Sequence, residues 1–358
     1  MGCIRFRSLP YRQPCPDPIT STTMTRHMAR AALPARPPSC KDVKDCKPSA
    51  DKDASKLPAA LFRQWNPAQF AFQETLPHAT RTGCPIEIYV ENWTGMTVAA
   101  KRFPCEQVST RLRARQRDGT GEFETAWPEL VLTQRLGRAG LPGFCTCLGA
   151  FRDDHGDVLL VTEYIPGGDL LELATKLGSA GPEREQRALP VIYSMLGTVL
   201  RLHSHGVAHC DISLENALRR ADGEVVLIDF ETSVASGAHR RTGVRGKPSY
   251  QAPEMHLRET WDAFAADLFA CGVSVYCLAV GTYPWQSTKP GVCRRFAYYK
   301  TFGFQAFLRN YGLTEGSRAS SYATSCISSY LAGLLAVLLH PDPEARCLGM
   351  QSLLSPAH

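Results

Sequence analysis

The sequence has no long apolar run. Its most apolar short stretch, Tyr330–Leu339, falls far short of the roughly 20 residues a membrane-spanning helix needs, so no span is expected. No apolar secretory leader stands at the front either. Paired cysteine spacing is missing although cysteine itself is not: 14 are scattered along the chain, and Cys145-Thr-Cys147 alone makes no zinc site. Without a leader these are expected to be reduced thiols in an intracellular, cytoplasmic protein. Acidic residues are scarce in residues 1–50, which hold nine Lys/Arg against Asp17, Asp42 and Asp45. That local excess accounts for the whole net charge of +6, leaving the rest balanced. A balanced body argues against nucleic-acid binding by the folded part.

The N-terminal stretch also lacks any sustained apolar period and is rich in Pro, Ser, Thr and basic residues, so residues 1–65 read as a disordered extension. Its Met1-Gly2-Cys3 start is of the doubly acylated kind, but Phe6 stands where myristoylation wants Ser or Thr. Its Arg-rich, acid-poor composition also suits an organelle transit peptide. Neither signal outweighs a plain tail. At 358 residues the chain is long enough to bury a sizeable core, and residues 66–354 are expected to form it.

What is present centres on His205-Gly-Val-Ala-His209-Cys-Asp211-Ile-Ser-Leu-Glu-Asn216-Ala-Leu218, followed by Val225-Val-Leu-Ile-Asp229-Phe-Glu231. Apolar spacing at Leu189, Ile192, Leu196 and Leu200 predicts a helix leading into the first stretch, and Val225–Ile228 predicts a short buried strand ending at Asp229. Two carboxylates and an amide are thereby gathered. Phosphoryl transfer asks for such atoms: a carboxylate to orient and deprotonate an attacking hydroxyl, and oxygen ligands for Mg²⁺. Upstream, Ile86–Val90 and Met96–Lys101 alternate around a Thr-Gly turn, a hairpin signal, and Val158–Ile165 reads as a buried strand ending in a Gly turn.

These stretches resemble, in serial order over about residues 76–350, the motifs of eukaryotic protein kinases. His-Cys-Asp211-Ile-Ser-Leu-Glu-Asn216 is similar to the catalytic loop, Asp229-Phe-Glu231 to the metal motif, and Val98-Ala99-Ala100-Lys101 to the phosphate-binding lysine strand. Gly243–Glu254 resembles the peptide-binding loop with its Ala-Pro-Glu anchor, Asp267 the start of the central helix, and Arg346 the partner of Glu254. The resemblance implies an α+β, bilobal fold: a small antiparallel β lobe with one helix, about 76–163, and a larger mainly helical lobe, about 167–354. It implies ATP and Mg²⁺ as cofactors and a protein substrate offering Ser or Thr. By it, Lys101 holds phosphates and pairs with Glu129 on the small-lobe helix, Asp211 is the base, and Asn216 and Asp229 hold the metal. The purine would lie between Ile86, Ala99 and Leu218 against a hinge of Thr162, Glu163 and Ile165, with Asp169 near the ribose. Asp267 would brace the catalytic loop.

The departures carry expectations of their own. Only Gly83 survives of the Gly-rich loop laid over Ala79–Ile86, which predicts weakened nucleotide binding. Pro128 predicts that the helix carrying Glu129 begins there or kinks. The basic run Arg111, Arg113, Arg115 and Arg117 reads as a solvated loop. Cys210 replaces the Arg that usually receives a loop phosphate, so activity without phosphate on Thr242 or Ser249 is expected. Ser213 stands where the family has Lys, and Lys247 where it has Thr, so an exchange of ammonium and hydroxyl across the site is expected. Two other functions remain open on the sequence: a pseudokinase scaffold, favoured by the degraded loop and Glu231, and a small-molecule kinase of the choline or aminoglycoside type, which would lack the Ala-Pro-Glu loop.

Overall fold

Alternating apolar residues build the first lobe. The computed structural model describes residues 62–76, 83–110, 127–235, 239–311 and 327–354. Strands β1 (Arg63–Gln64), β2 (Phe70–Thr75), β3 (Ile86–Glu91), β4 (Thr97–Phe103), β5 (Cys147–Arg152) and β6 (Val158–Glu163) form one sheet in the order β1-β5-β6-β4-β3-β2. All neighbours are antiparallel except β1 with β5. Every second residue of β4 faces one way. Val98 and Ala100 pack with Tyr89, Phe151, Leu159 and Val161 on one side of the sheet. Phe103 joins Trp127, Leu130 and Leu160 on the other, where helix α1 (Pro128–Arg138) lies. Pro128 opens α1, at the position where a missing N–H costs nothing.

The folded part starts before residue 66. Trp65 stacks on Phe70 at 4.6 Å, Arg63 and Gln64 pair with Phe151 and Arg152, and β2 precedes the expected small-lobe start near 76. The boundary was missed because a two-residue strand gives no alternation to read. The rest of the N-terminal extension, the loop positions 77–82 and the basic run Arg111, Arg113, Arg115 and Arg117 lie outside the described residues.

The larger lobe is mainly helical: α2 (Leu170–Lys176), α3 (Pro182–Ser204), a four-residue α4 (Glu254–Leu257), α5 (Ala263–Val280), α6 (Arg294–Tyr311, broken at Gly303), α7 (Ser329–Leu338) and α8 (Pro343–Leu354). Short strands β7 (Val207–Ala208), β8 (Ala217–Arg219), β9 (Val225–Leu227), β10 (Val234–Ala235), β11 (Arg240–Arg241) and β12 (Trp261–Asp262) pair as β8–β9, β7–β10 and β11–β12. Asp262 caps α5 by accepting from Ala265 N at 2.9 Å.

Helix α5, not the run 330–339, is the most apolar long segment. It has 18 residues and a mean hydropathy of 1.9, enough by length and composition to cross a membrane, but 94% of it is buried inside the protein. It is the central core helix, packed against α3, α7 and α8. One of its buried residues is Asp267, and that carboxylate organises the site above it.

Candidate active site

Strand register brings the cleft-facing residues together. Ile86 stands opposite Lys101, and Ala99 opposite Thr162. Directly opposed residues point to the same side of a sheet, so Ile86, Ala99, Lys101 and Thr162 share one face. Across the cleft, Ile165 and Val226 form an apolar cluster against which the partly buried Leu218 and Ile228 pack.

Lys101 lies at the inner end of that face, and its ammonium donates to Glu129 Oε1 and Oε2 at 2.6 and 2.7 Å and to Asp229 Oδ1 at 3.2 Å. Burial opposes its charge, but the Glu129 and Asp229 carboxylates outweigh burial and hold its pKa up at about 12. The partner is pulled the other way: burial, aided by the Asp229 and Glu231 charges, raises the Glu129 carboxyl to about 7 despite Lys101. Two carboxylates share one ammonium here. The ammonium is the firmly charged member.

The loop after β7 is tied down from below. Asp267 accepts from His209 N at 2.6 Å, Cys210 N at 2.8 Å and His203 Nε2 at 3.0 Å. His209 in turn contacts Ile228 O at 3.0 Å through Nε2, and Ile228 N donates to Asn216 O at 3.0 Å. The backbone carrying Asp211 and Asn216 is thereby stitched to the one carrying Asp229. Asn216 Nδ2 donates to Asp211 O at 2.9 Å and Asp211 Oδ2 at 3.2 Å. Among the described residues only Cys210 and Asp229 carry a side chain at positive φ, 63° and 64°. Strain of that kind persists where surrounding bonds over-determine the backbone.

An oxygen-ligand cation of the Mg²⁺ type fits this donor set. The Asp229 carboxylate and the Asn216 amide oxygen suit a hard cation. Among the described residues there is no cluster of three His, Cys, Asp or Glu for a softer metal, and the nine described cysteines are free thiols.

Several expected contacts are modified. Glu163 is engaged by Arg220 at 2.5 and 2.6 Å and by Thr146 N, and its backbone N–H donates to Thr146 O. Its side chain is a strap between lobes, and the contact expected of the hinge is one of its backbone. Asp169 Oδ1 caps α2 by accepting from Glu172 N at 2.8 Å, so its position owes as much to helix capping as to any ligand. Gly83 has φ 71° with open space around it, while Cys84 is fully buried in the small-lobe core.

Lys247 and Ser213 do face each other: Lys247 Nζ donates to Ser213 Oγ at 2.7 Å and sits 3.2 Å from Glu215 Oε1. Glu215 was not anticipated from the sequence, nor were Arg220 and the pair Arg241 and Arg245 beside Cys210. Their only signal was charge in turns, which usually marks a solvated surface. Cys210 stands where the family has Arg, and the charges of Arg241 and Arg245 act on its thiol from the segment before Glu254. Glu254 and Arg346 meet as expected, at 2.9 and 3.1 Å and both fully buried.

A family model described as the protein kinase domain matches residues 86–356. The chain is 32% identical over 143 residues to CBL-interacting serine/threonine-protein kinase 17 of Arabidopsis thaliana, covering 38% of this chain and 32% of that one. It is 29% identical over 203 residues to CBL-interacting protein kinase 31 of Oryza sativa subsp. japonica, covering 56% and 40%. Serine/threonine-protein kinase SAPK9 of the same rice is 33% identical over 157 residues, covering 42% of each. The matched part is thus well under two thirds of each relative's length.

Proposed function

The chain belongs to the protein kinase family, and from that premise we propose that it transfers the γ-phosphoryl group of ATP to a Ser or Thr hydroxyl of a protein substrate. The observation that carries the reading is the convergence of Lys101 on Glu129 and Asp229 across the two lobes, beside an Asp211 locked to Asn216. In such a reaction the protein positions groups and stabilises charge more than it makes bonds. Asp211, held by Asn216, accepts the proton of the attacking hydroxyl. Lys101 offers its ammonium to phosphate oxygens, oriented by Glu129. Mg²⁺, when bound, would neutralise phosphate charge, and Asn216 and Asp229 are the residues that would hold it. Lys247, at the Ser213 hydroxyl, supplies a cation on the acceptor side of Asp211.

The test is radiolabel transfer from ATP to a generic protein substrate, with Asp211→Ala as control. Labelling lost in the control supports transfer; none in the native chain rejects it. Lys247→Ala should reduce turnover by about a hundredfold, the scale of losing one charge-stabilising donor, and near-normal turnover would remove it from the mechanism.

A second reading, a nucleotide-binding scaffold without turnover, is favoured by the single surviving Gly83. Thermal shift with ATP and Mg²⁺ separates a binder from an empty fold: a ligand at 100 times its Kd stabilises by about 2.7 kcal/mol. A small-molecule kinase is disfavoured by the buried Glu254–Arg346 anchor of the peptide segment.

A further inference from the structure

Between residues 239 and 253 the chain carries Arg240, Arg241, Arg245 and Lys247 and no Asp or Glu. This stretch runs into the segment anchored by Glu254, and it lies against the proposed base. A Cβ built on Gly246 would stand 3.3 Å from Asp211 Oδ1. A peptide presenting its hydroxyl to Asp211 therefore passes over these cations.

A carboxylate from elsewhere answers only one of them, Lys247. Asp262 sits 3.9 Å from His239, and Glu215 sits 3.2 Å from Lys247. Arg240 reaches the neutral Thr260 hydroxyl at 3.1 Å. Among the described residues Arg241 and Arg245 have no carboxylate at ion-pair distance, and the Nε of each is buried without a hydrogen-bond partner. That N–H is half of the two-pronged edge by which a guanidinium grips a carboxylate or phosphate.

Nor does the surrounding structure supply a counter-charge. Burial depresses the Arg241 pKa, and the neighbouring Arg245 charge depresses it further. The Cys210 thiol stays neutral, because burial and then Asp267 push its pKa well up. Arg245 lines a small cavity with Cys210, Gly246 and Tyr250, and Asp211 and Asp267 stand in its wall. Those two carboxylates are already bonded, Asp267 to His203 and two backbone amides and Asp211 to Asn216. The backbone at Arg241 is held in place rather than left to swing. Arg241 is in β11, paired with Trp261, whose indole donates to Gly243 O at 2.7 Å.

We propose that Arg241 and Arg245 select an acidic acceptor peptide, in which an oxyanion beside the Ser or Thr hydroxyl seats on the two guanidiniums. The inference rests on the phosphoryl-transfer reading only for the hydroxyl; the anion site stands apart from turnover. The shared ligand chemistry is a carboxylate or a phosphate carried on the peptide.

The test uses the full chain, ATP and Mg²⁺ with matched peptides whose single acceptor Ser is flanked by Asp, phosphoserine, Ala or Arg. Acidic flanks should raise kcat/KM about tenfold or more over Ala, and Arg flanks should lower it. The preference should vanish in Arg241→Gln/Arg245→Gln, while the Ala peptide is phosphorylated as by the native chain. Arg241→Lys/Arg245→Lys, which keeps charge but loses the fork, should fall between and covers the case of a glutamine variant that does not fold. Phosphoserine outperforming Asp assigns the dianion, and the reverse assigns the carboxylate. Equal rates for all flanks, a preference for Arg flanks, or an acidic preference that survives in the glutamine variant overturns the proposal.

A second arm needs no turnover: fluorescence anisotropy of a labelled Asp-flanked peptide with the native chain and the glutamine variant. Binding lost in the variant sustains the anion site even if no peptide is ever phosphorylated. Absent binding alongside phosphorylation of the Ala peptide overturns the anion site alone.

Discussion

Replacing Asp267 by Asn keeps size and shape and removes one acceptor oxygen, and its cost can be worked out bond by bond. In the native chain Oδ2 accepts from His209 N and His203 Nε2, and Oδ1 accepts from Cys210 N. An amide offers one oxygen, so whichever way it turns, its NH₂ faces a backbone N–H. That donor is left buried and unsatisfied, at about 1–3 kcal/mol. The remaining bonds lose their charge assistance, which roughly halves their strength, or about 1 kcal/mol more. The expected loss is about 2–4 kcal/mol. Urea unfolding of the full chain, followed by fluorescence, reads it from the midpoint at unchanged slope. Asp262→Asn is the control, since its carboxylate caps α5, where Asn serves as well as Asp, and its other oxygen lies only at the long distance of 3.9 Å from His239, so a change within about 0.5 kcal/mol is expected. If Asp267→Asn unfolds within about 0.5 kcal/mol of the native chain, or no lower than the control, then the loop is not held as described.

Arg346→Met leaves Glu254 buried and unpaired and should cost about 3–5 kcal/mol, while Glu254→Met/Arg346→Met should recover part of it; additive losses in the double-mutant cycle would deny the coupling. The Glu129 carboxyl, raised from 4.5 to about 7, keeps its proton in the folded chain where the unfolded chain has released it. Its contribution to stability is therefore complete below the unfolded value and is lost as pH rises through the folded one. Glu129→Gln should flatten the fall in unfolding midpoint across that window, and a pH-independent offset between the two proteins would contradict it. Gly272→Ala would place a Cβ 2.8 Å from Leu338 Cβ and 2.9 Å from Leu339 Cδ2, for a loss of about 1–3 kcal/mol by thermal unfolding. Gly333→Ala, in open space on α7, should instead gain about 0.4–1 kcal/mol, and similar shifts for the two would refute the packing described.

The lobes were legible where local pattern and tertiary role agree. Alternation around the turn at 92–95 is the β3–β4 hairpin, and Pro128 marks the first residue of α1 because its ring excludes it from the interior. Glu254 and Arg346, like Lys247 and Ser213, were paired in advance through motif order and meet as side chains. What stayed hidden depends on partners far apart in sequence. Arg220 straps Glu163 across 57 residues, and nothing in a turn sequence says which carboxylate a turn arginine will reach. The buried Nε of Arg241 and of Arg245 was equally unreadable, since an arginine-rich loop normally stays hydrated. Apolar α5 runs without a charge from residue 268 to 280, and the Asp267 just before that run is the residue on which the catalytic loop rests.

The clamp between Glu254 and Arg346 also bears on how the chain comes off the ribosome. The two partners are 92 positions apart, and at about 5–20 residues per second the second follows the first by roughly 5–18 seconds. During that interval a carboxylate destined for a dry interior has no cation to meet it. The segment that Glu254 anchors is therefore moored only once α8 is made, so the large lobe is completed well after the early-made sheet.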